Sequence, residues 1–173
     1  MIKLQPFNES DFRQLIDEIP DARFLLQWAG PKYSYPLDAA QLNATLGETN
    51  GEVSPFKVYK AIRRDTSEIV GHIQLMNIDY NSGTCVLGRV MIFRKFRGNG
   101  YGKAMVCEAI TVAFEKLKLM EITLKVFDFN TSAIELYKGL GFSDYRYDKG
   151  ICQFQNEKWN VFHMRLKKDR RLS

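Results

Sequence analysis

The segment FRKFRGNGYGKAM, residues 93–105, places glycine at 98, 100 and 102 and brackets the three with Arg97 and Lys103. Before it runs an apolar stretch, TCVLGRVMIF (84–93), which reads as a strand. After it, Val106, Ile110, Ala113 and Leu117 recur at spacings of four, three and four, one face of a helix. A strand, a glycine-rich loop and a helix start together make a phosphate cradle. The helix N-terminus offers unpaired N–H groups and a partial positive charge, and glycines let the backbone close on a phosphate. Two common cradles fail here. A P-loop needs glycine where Arg97 stands, and serine or threonine where Ala104 stands. The dinucleotide fingerprint needs its third glycine where Lys103 stands, and belongs in a first strand–helix unit.

Working outward, IKLQPF (2–7) reads as a strand, and Asn8 or Ser10 caps a helix running to about Ile19. One or two short helices, broken by Pro31 and Pro36, follow over residues 20–48. FKVYKAIRR and EIVGHIQLMNI form a hairpin around RDTS, and NSG (81–83) turns the chain into the strand before the glycine loop. EITLKVF (121–127) is a strand. NTSAIELYKGLGF (130–142) is a short helix capped by Asn130 or Thr131, stopped by Gly141, with Ala133, Tyr137 and Leu140 on one face. GICQFQNEKWNVFHMRL closes the chain as a hairpin turning at QNEK. One strand–helix–strand unit therefore sits inside an otherwise antiparallel sheet.

At 173 residues, with 45% hydrophobic and 26% charged residues, the chain suits one domain over 1–173 with a full core. Its apolar runs fall short of a bilayer span, and the N-terminus turns polar too soon for a signal peptide. Cys85, Cys107 and Cys152 are odd in number and far apart, which suits free thiols in a reducing cytoplasm. Two histidines, His72 and His163, offer little to a metal site, so no metal is expected. The net charge of +5 owes much to RLKKDRR at 165–171, read as a solvated tail. No nucleic-acid-binding motif accompanies it, and an anionic small ligand profits from the same positive field.

Read as Arg97-Gly98-Asn99-Gly100-Tyr101-Gly102, the loop resembles the pyrophosphate motif of the GNAT superfamily of acyl-CoA N-acyltransferases. A second stretch carries the resemblance further: Val126, Asn130, Ala133, Leu136, Tyr137, Gly141 and Phe142. The N-terminal strand, the Trp28 region and the closing WNVFHMRL look most like the branch containing ribosomal-protein N-terminal acetyltransferases. The resemblance implies an α/β (α+β) GNAT fold: a mixed, mostly antiparallel sheet of six or seven strands, flanked by helices, with a splayed strand pair. It implies acetyl-CoA as cosubstrate and transfer to a primary amine, a protein N-terminus or a small molecule, by direct attack in a ternary complex. Aminoglycoside or polyamine acceptors stay open as alternatives, as does a CoA-binding sensor without turnover. The chain is expected to act as a monomer or homodimer.

The resemblance also assigns residues. Backbone of Val90, Met91 and Ile92 holds the pantetheine arm, and Arg97 through Lys103 (Arg97, Gly98, Asn99, Gly100, Tyr101, Gly102, Lys103) hold the pyrophosphate. Asn130 caps its helix and touches the arm, and Tyr137 is the general acid. The base is harder. The family's glutamate position matches Lys125 here, which leaves Asp79, Asp128 or a water chain. Trp28, Tyr33 and Tyr35, with Tyr80, are candidates to line the acceptor pocket, while His72 reads as a satisfied strand histidine.

Overall fold

A computed structural model describes residues 2–49, 51 and 53–169 of the chain. The strands are β1 (Ile2–Pro6), β2 (Lys57–Arg63), β3 (Ile69–Asp79), β4 (Thr84–Ile92), β5 (Glu121–Phe127), β6 (Ser143–Phe154) and β7 (Glu157–Lys167). The helices are α1 (Phe12–Ile16), α2 (Ala22–Ala29), α3 (Ala39–Gly47), α4 (Tyr101–Thr111) and α5 (Thr131–Gly139). All seven strands form one sheet in the order β1-β2-β3-β4-β5-β7-β6. Neighbours run antiparallel except β4 and β5, which are parallel and joined through α4. A parallel pair needs such a crossover, because a tight turn cannot bring the chain back in the same direction.

β3 lies deepest. Each residue from Val70 to Leu75 is buried, so both faces are covered and no solvent face breaks the apolar run. Two of those residues are polar and bond to each other, Gln74 Nε2 lying 2.9 Å from His72 Nε2, but His72 Nδ1 is buried with no partner, so the histidine is only half satisfied where the sequence suggested a satisfied one. α4 buries Met105, Val106 and Ala109 against the sheet. Beyond Thr111 it widens into a five-residue π turn, in which Leu117 N–H reaches the Val112 carbonyl at 2.9 Å. That extra residue per turn rotates the later positions, so Val112, Ala113 and Phe114 are buried while Ile110 and Leu117 of the expected face are half-buried.

Three boundaries differ from the sequence expectation. The first helix is a 3₁₀ turn (Glu9–Asp11) plus one turn of α1, and ends at Ile16. Pro20 disfavours helical backbone at Ile19, so the chain leaves the helix early. Asn8 does cap this start, accepting from Ser10 N–H at 3.0 Å. β6 begins at Ser143, well before Gly150; it is an edge strand, mostly exposed, and so carries no apolar alternation to read. The closing turn is Gln155-Asn156, with Glu157 and Lys158 already in β7. Of the basic tail, Arg165 and Lys167 lie in β7 and Lys168 pairs with Glu115 at 2.9 Å, while Arg170 and Arg171 lie outside the described residues. No helix is long and apolar enough to cross a membrane, and no group of metal-ligating side chains occurs among the described residues.

Candidate active site

β4 and β5 pair over three positions only: Thr84 with Glu121, Cys85 with Ile122, Val86 with Thr123. Beyond them the strands diverge. The cause is a bulge in β4. Gln74 faces Gly88 and His72 faces Met91, so three steps of β4 answer two of β3. Arg89, inside the bulge, takes φ +49°. A bulge bends its strand and sharpens the local twist, and here it turns the end of β4 away from β5. Gly88 makes the crowding tolerable, since a Cβ there would run into Met76 Cε.

The divergence opens a cleft of about 1040 Å³ between the two strands, the end of α2, the glycine loop and α5. Val90, Met91 and Ile92 line one wall. Their backbone groups facing the gap have no strand partner, a costly arrangement unless something else supplies hydrogen bonds.

The glycine loop closes one end. Gly98 and Gly100 have φ of +77° and +75°, and a Cβ on either would meet open space. Their need for glycine is conformational. Gly102 differs: its φ is ordinary, but a Cβ would stand 3.2 Å from Leu136 Cδ1, so it sets how closely α4 meets α5. Gly100 is the N-cap of α4, with no side-chain capping bond. The first helical bond runs from Ala104 N–H to the Gly100 carbonyl at 3.2 Å. The N–H groups of Tyr101, Gly102 and Lys103 therefore have no acceptor in the helix. Gly98, Gly100, Tyr101, Gly102 and Lys103 all line the cleft. Arg97 lines it too, and its Nε donates to the Ile92 carbonyl at 2.9 Å, fastening loop to strand. Asn99 turns inward on the loop, donating to the carbonyls of Phe96 (3.2 Å) and Arg97 (3.0 Å), and does not line the cleft.

α5 supplies Asn130 and Tyr137, both in the lining. Asn130 occupies the N-cap position without a side-chain bond to a helix N–H; its Oδ1 accepts only from Ser132 Oγ, at 3.4 Å. Tyr137 packs on Phe142, ring centroids 5.8 Å apart, and burial pushes its phenol up to about 12.

The opposite end is aromatic and cationic. Trp28 lines it; Tyr33 stacks behind Trp28 at 6.2 Å, its hydroxyl 2.7 Å from Thr45 Oγ1, beneath the Arg89 guanidinium at 5.3 Å. Tyr35 instead reaches the Pro20 carbonyl, and Tyr80 the Ser54 carbonyl; neither lines the cleft. Asp79 accepts from the N–H groups of Asn81 (2.8 Å) and Ser82 (3.1 Å). Its hydrogen bonds to Ser82 and Asn81 hold its carboxyl below the usual range, and it stands outside the cleft. Asp128 accepts from Tyr147 and Asn160, each at 2.8 Å, and is also outside. Lys125 on β5 does line the cleft, as do Ile151, Cys152 and Gln153 of β6. Arg23 on α2 bonds Glu157 at 2.7 Å and stacks on Trp159 at 5.0 Å, which ties α2 to the β6–β7 turn across this end.

Two features of the lining were not anticipated. Arg89 projects into it from the bulge; an arginine in the middle of VLGRVMI, next to glycine, was the available signal. The charge balance is the other. Arg89, Arg97, Lys103 and Lys125 line the cleft, and no aspartate or glutamate does among the described residues.

Residues 17–142 match the family model described as the acetyltransferase (GNAT) family. Among solved structures, the spermidine N-acetyltransferase of Vibrio cholerae in complex with CoA and spermine is similar at 16% identity, over 99% of this chain and 98% of that one, with a TM-score of 0.85. A chimera of Vibrio cholerae SpeG and hSSAT is similar at 16% identity over 96% and 95%, with a TM-score of 0.82. A variant of the same SpeG matches at 17% identity over 98% and 97%, also with a TM-score of 0.82.

Proposed function

The chain belongs to the acetyltransferase (GNAT) family, and we propose that its cleft takes acetyl-CoA and passes the acetyl group to a primary amine. One observation carries this reading: two parallel strands that pair at three positions and then part, directly above a helix N-terminus that no side chain caps. The gap fits an extended arm that hydrogen-bonds to strand backbone, and the helix end fits a diphosphate.

In this reading the N–H groups at 98 and 100–103 bind the pyrophosphate, with Lys103 and Arg97 adding charge. Asn99 shapes the loop. Val90, Met91 and Ile92 hold the pantetheine arm along β4, and the Asn130 amide, which caps no helix N–H, meets it from α5. A backbone N–H of Met91 or Ile92 polarises the thioester carbonyl. The neutral amine attacks the carbonyl carbon, the C–N bond forms, the C–S bond breaks, and the proton lost by nitrogen balances the one gained by sulfur. Tyr137 serves the sulfur. At about 12 its phenol is a weaker acid than a thiol near about 8.5, so it stays protonated and donates a hydrogen bond to the departing thiolate. The nitrogen's proton then completes the transfer through it. Trp28 walls the acceptor end. No carboxylate lines the cleft among the described residues, so the proton that the ammonium form sheds before the attack leaves through water.

The acceptor is a small-molecule amine or a protein N-terminus. A polyamine is the second reading, favoured by the likeness to structures named for spermidine and spermine. Release of CoA thiol over a panel of amines tests the assignment: turnover with at least one amine supports it. Tight acetyl-CoA binding with no turnover on any of them points to a CoA-binding sensor instead.

A further inference from the structure

The geometry points to an acceptor amine that carries a carboxylate of its own, held by the Arg89 guanidinium. This rests on the acetyl-transfer reading and names the substrate class for it.

The four cations of the cleft fall into two groups. Arg97 and Lys103 belong to the glycine loop, at the diphosphate end. Arg89 and Lys125 stand on the two diverging strands, one on each wall. Neither is needed to grip a diphosphate bound at α4.

Arg89 is held there against several costs. Its backbone occupies the left-handed region, unfavourable for a residue with a Cβ. Burial holds its guanidinium below the usual arginine range, against the weaker pull of Tyr33 and Glu48. Its Nε is buried with no acceptor. A guanidinium has five N–H donors, and the hydrogen bond this one makes is to a neutral amide, Gln74 Oε1. Glu48 is the nearby carboxylate, but it makes no hydrogen bond to Arg89: Lys32 Nζ bonds its Oε1 at 2.5 Å, its Oε2 is buried with no partner, and it does not line the cleft. Lys32, Glu48 and Arg89 together therefore carry one uncompensated positive charge.

The guanidinium is also aimed. Gln74 gives Oε1 to Arg89, so its Nε2 donates to His72 Nε2, and the imidazole proton sits on Nδ1. His72 is buried between Phe7 and Trp28, with ring centroids 4.6 Å and 5.6 Å away. Burial, with Arg89 next, lowers its pKa to about 3, which keeps it neutral. A neutral, fully buried relay thus fixes a planar cationic fork at the acceptor wall. That is the donor geometry that matches a carboxylate in two places at once.

Spacing sets the scale of the ligand. Arg89 and Met91 are two residues apart, roughly 7 Å along a strand. An amine attacking a thioester held at Met91, with its carboxylate on Arg89, has the two groups a few bonds apart. A free amino acid meets that, and so does a peptide N-terminus whose first side chain is acidic. Arg89 and Lys125 also disfavour protonation of the bound amine. The α-amino group of a peptide, with a reference pKa of about 7.7–8.0, is then neutral without a carboxylate base, while a free amino acid, whose own carboxylate raises its amine, depends on the two cations more.

The test compares matched pairs on the wild-type enzyme with acetyl-CoA: alanine against alaninamide, aspartyl-alaninamide against asparaginyl-alaninamide, and spermidine as a polycation. The expected result is a kcat/KM about tenfold to a hundredfold higher for the acid member of at least one pair. Whichever pair shows it tells the free amino acid from the acidic N-terminus. Arg89→Gln should bring that pair within about twofold, and Arg89→Lys should keep part of the preference. Lys125→Gln, on the other wall, should weaken the preference even if the Arg89 variants fold poorly. Acid and amide members alike on the wild type, or spermidine the best acceptor, overturns the proposal. Binding separates the two levels of inference. In titrations of the CoA-loaded enzyme with the N-acetylated products of both pairs, acid products should bind about tenfold tighter or more. Equal affinity overturns the carboxylate site whatever the turnover. Tighter acid products with no turnover of any amine keep the carboxylate site and sink the acetyl-transfer reading.

Discussion

Gly71 on β3 lies against the Met91 carbonyl on β4: a Cβ at Gly71 would overlap that oxygen, and would also stand 3.0 Å from Ile92 Cδ1 and 3.2 Å from Met105 Sδ. The cleft wall therefore rests on an absent side chain one strand away. Gly71→Ala should cost about 1–3 kcal/mol of stability, the usual toll of overpacking. By shifting Met91 it should also raise KM for acetyl-CoA several-fold. Chemical denaturation and steady-state kinetics read the two effects; an unchanged KM would mean that Met91 does not hold the cosubstrate.

Gly100 is needed for its left-handed backbone and for open space in front of it. Gly100→Trp should fold, with a loss of about 1–2 kcal/mol from the strained φ, and should lose acetyl-CoA binding. Calorimetry against CoA decides it: wild-type affinity in a folded variant removes the loop from the binding site.

Tyr137→Phe should lower kcat by roughly tenfold to a hundredfold and leave KM for acetyl-CoA within about twofold. The Tyr137 phenol, at about 12, stays protonated through any practical assay range. The wild-type rate should therefore climb with pH as the amine deprotonates and then level off, with no falling limb below about pH 10. A descending limb near neutrality would assign the acid to another group.

His72 gives a stability signature. Folded, it binds a proton only near pH 3; unfolded, near the ordinary 6.5. Between those values the unfolded chain takes the proton up, so this contribution is fully present above about pH 6.5 and is lost as pH falls. The slope is at most about 1.4 kcal/mol per pH unit. Urea unfolding of wild type and His72→Gln from pH 7 to 4.5 checks it. The variant should be less stable at pH 7 and decline less steeply; parallel curves would mean that His72 is not buried neutral.

The parts of the fold that read well from sequence are those that bury one face. α4 with its π turn declared itself through Val106 and Ala113, and β5 through Ile122, Leu124 and Val126, all buried. β6 did not, because an exposed edge strand has no buried face to pattern. The glycine loop was legible because left-handed backbone leaves a residue-type trace. The β4 bulge left a fainter one, in Gly88-Arg89, since its effect is on hydrogen-bond register. Asp79 and Asp128 looked available as bases on chemistry alone. In three dimensions each carboxylate is already committed to neighbouring donors: Asn81 and Ser82 for the first, Tyr147 and Asn160 for the second.

The three-residue pairing of β4 with β5 has a mechanical meaning. It makes the sheet two half-sheets, β1–β4 and β5–β7-β6, riveted at Thr84–Val86 and otherwise held by what lies across them. A cosubstrate arm hydrogen-bonded along β4 is then a structural member, the missing lath between two panels. Those amides of residues 87–92 and 124–127 that point into the gap should exchange with solvent faster than those of β3 in the free protein, and slow together when CoA binds. If so, the molecule is stiffest while it holds its acyl donor, and each turnover loosens its own sheet.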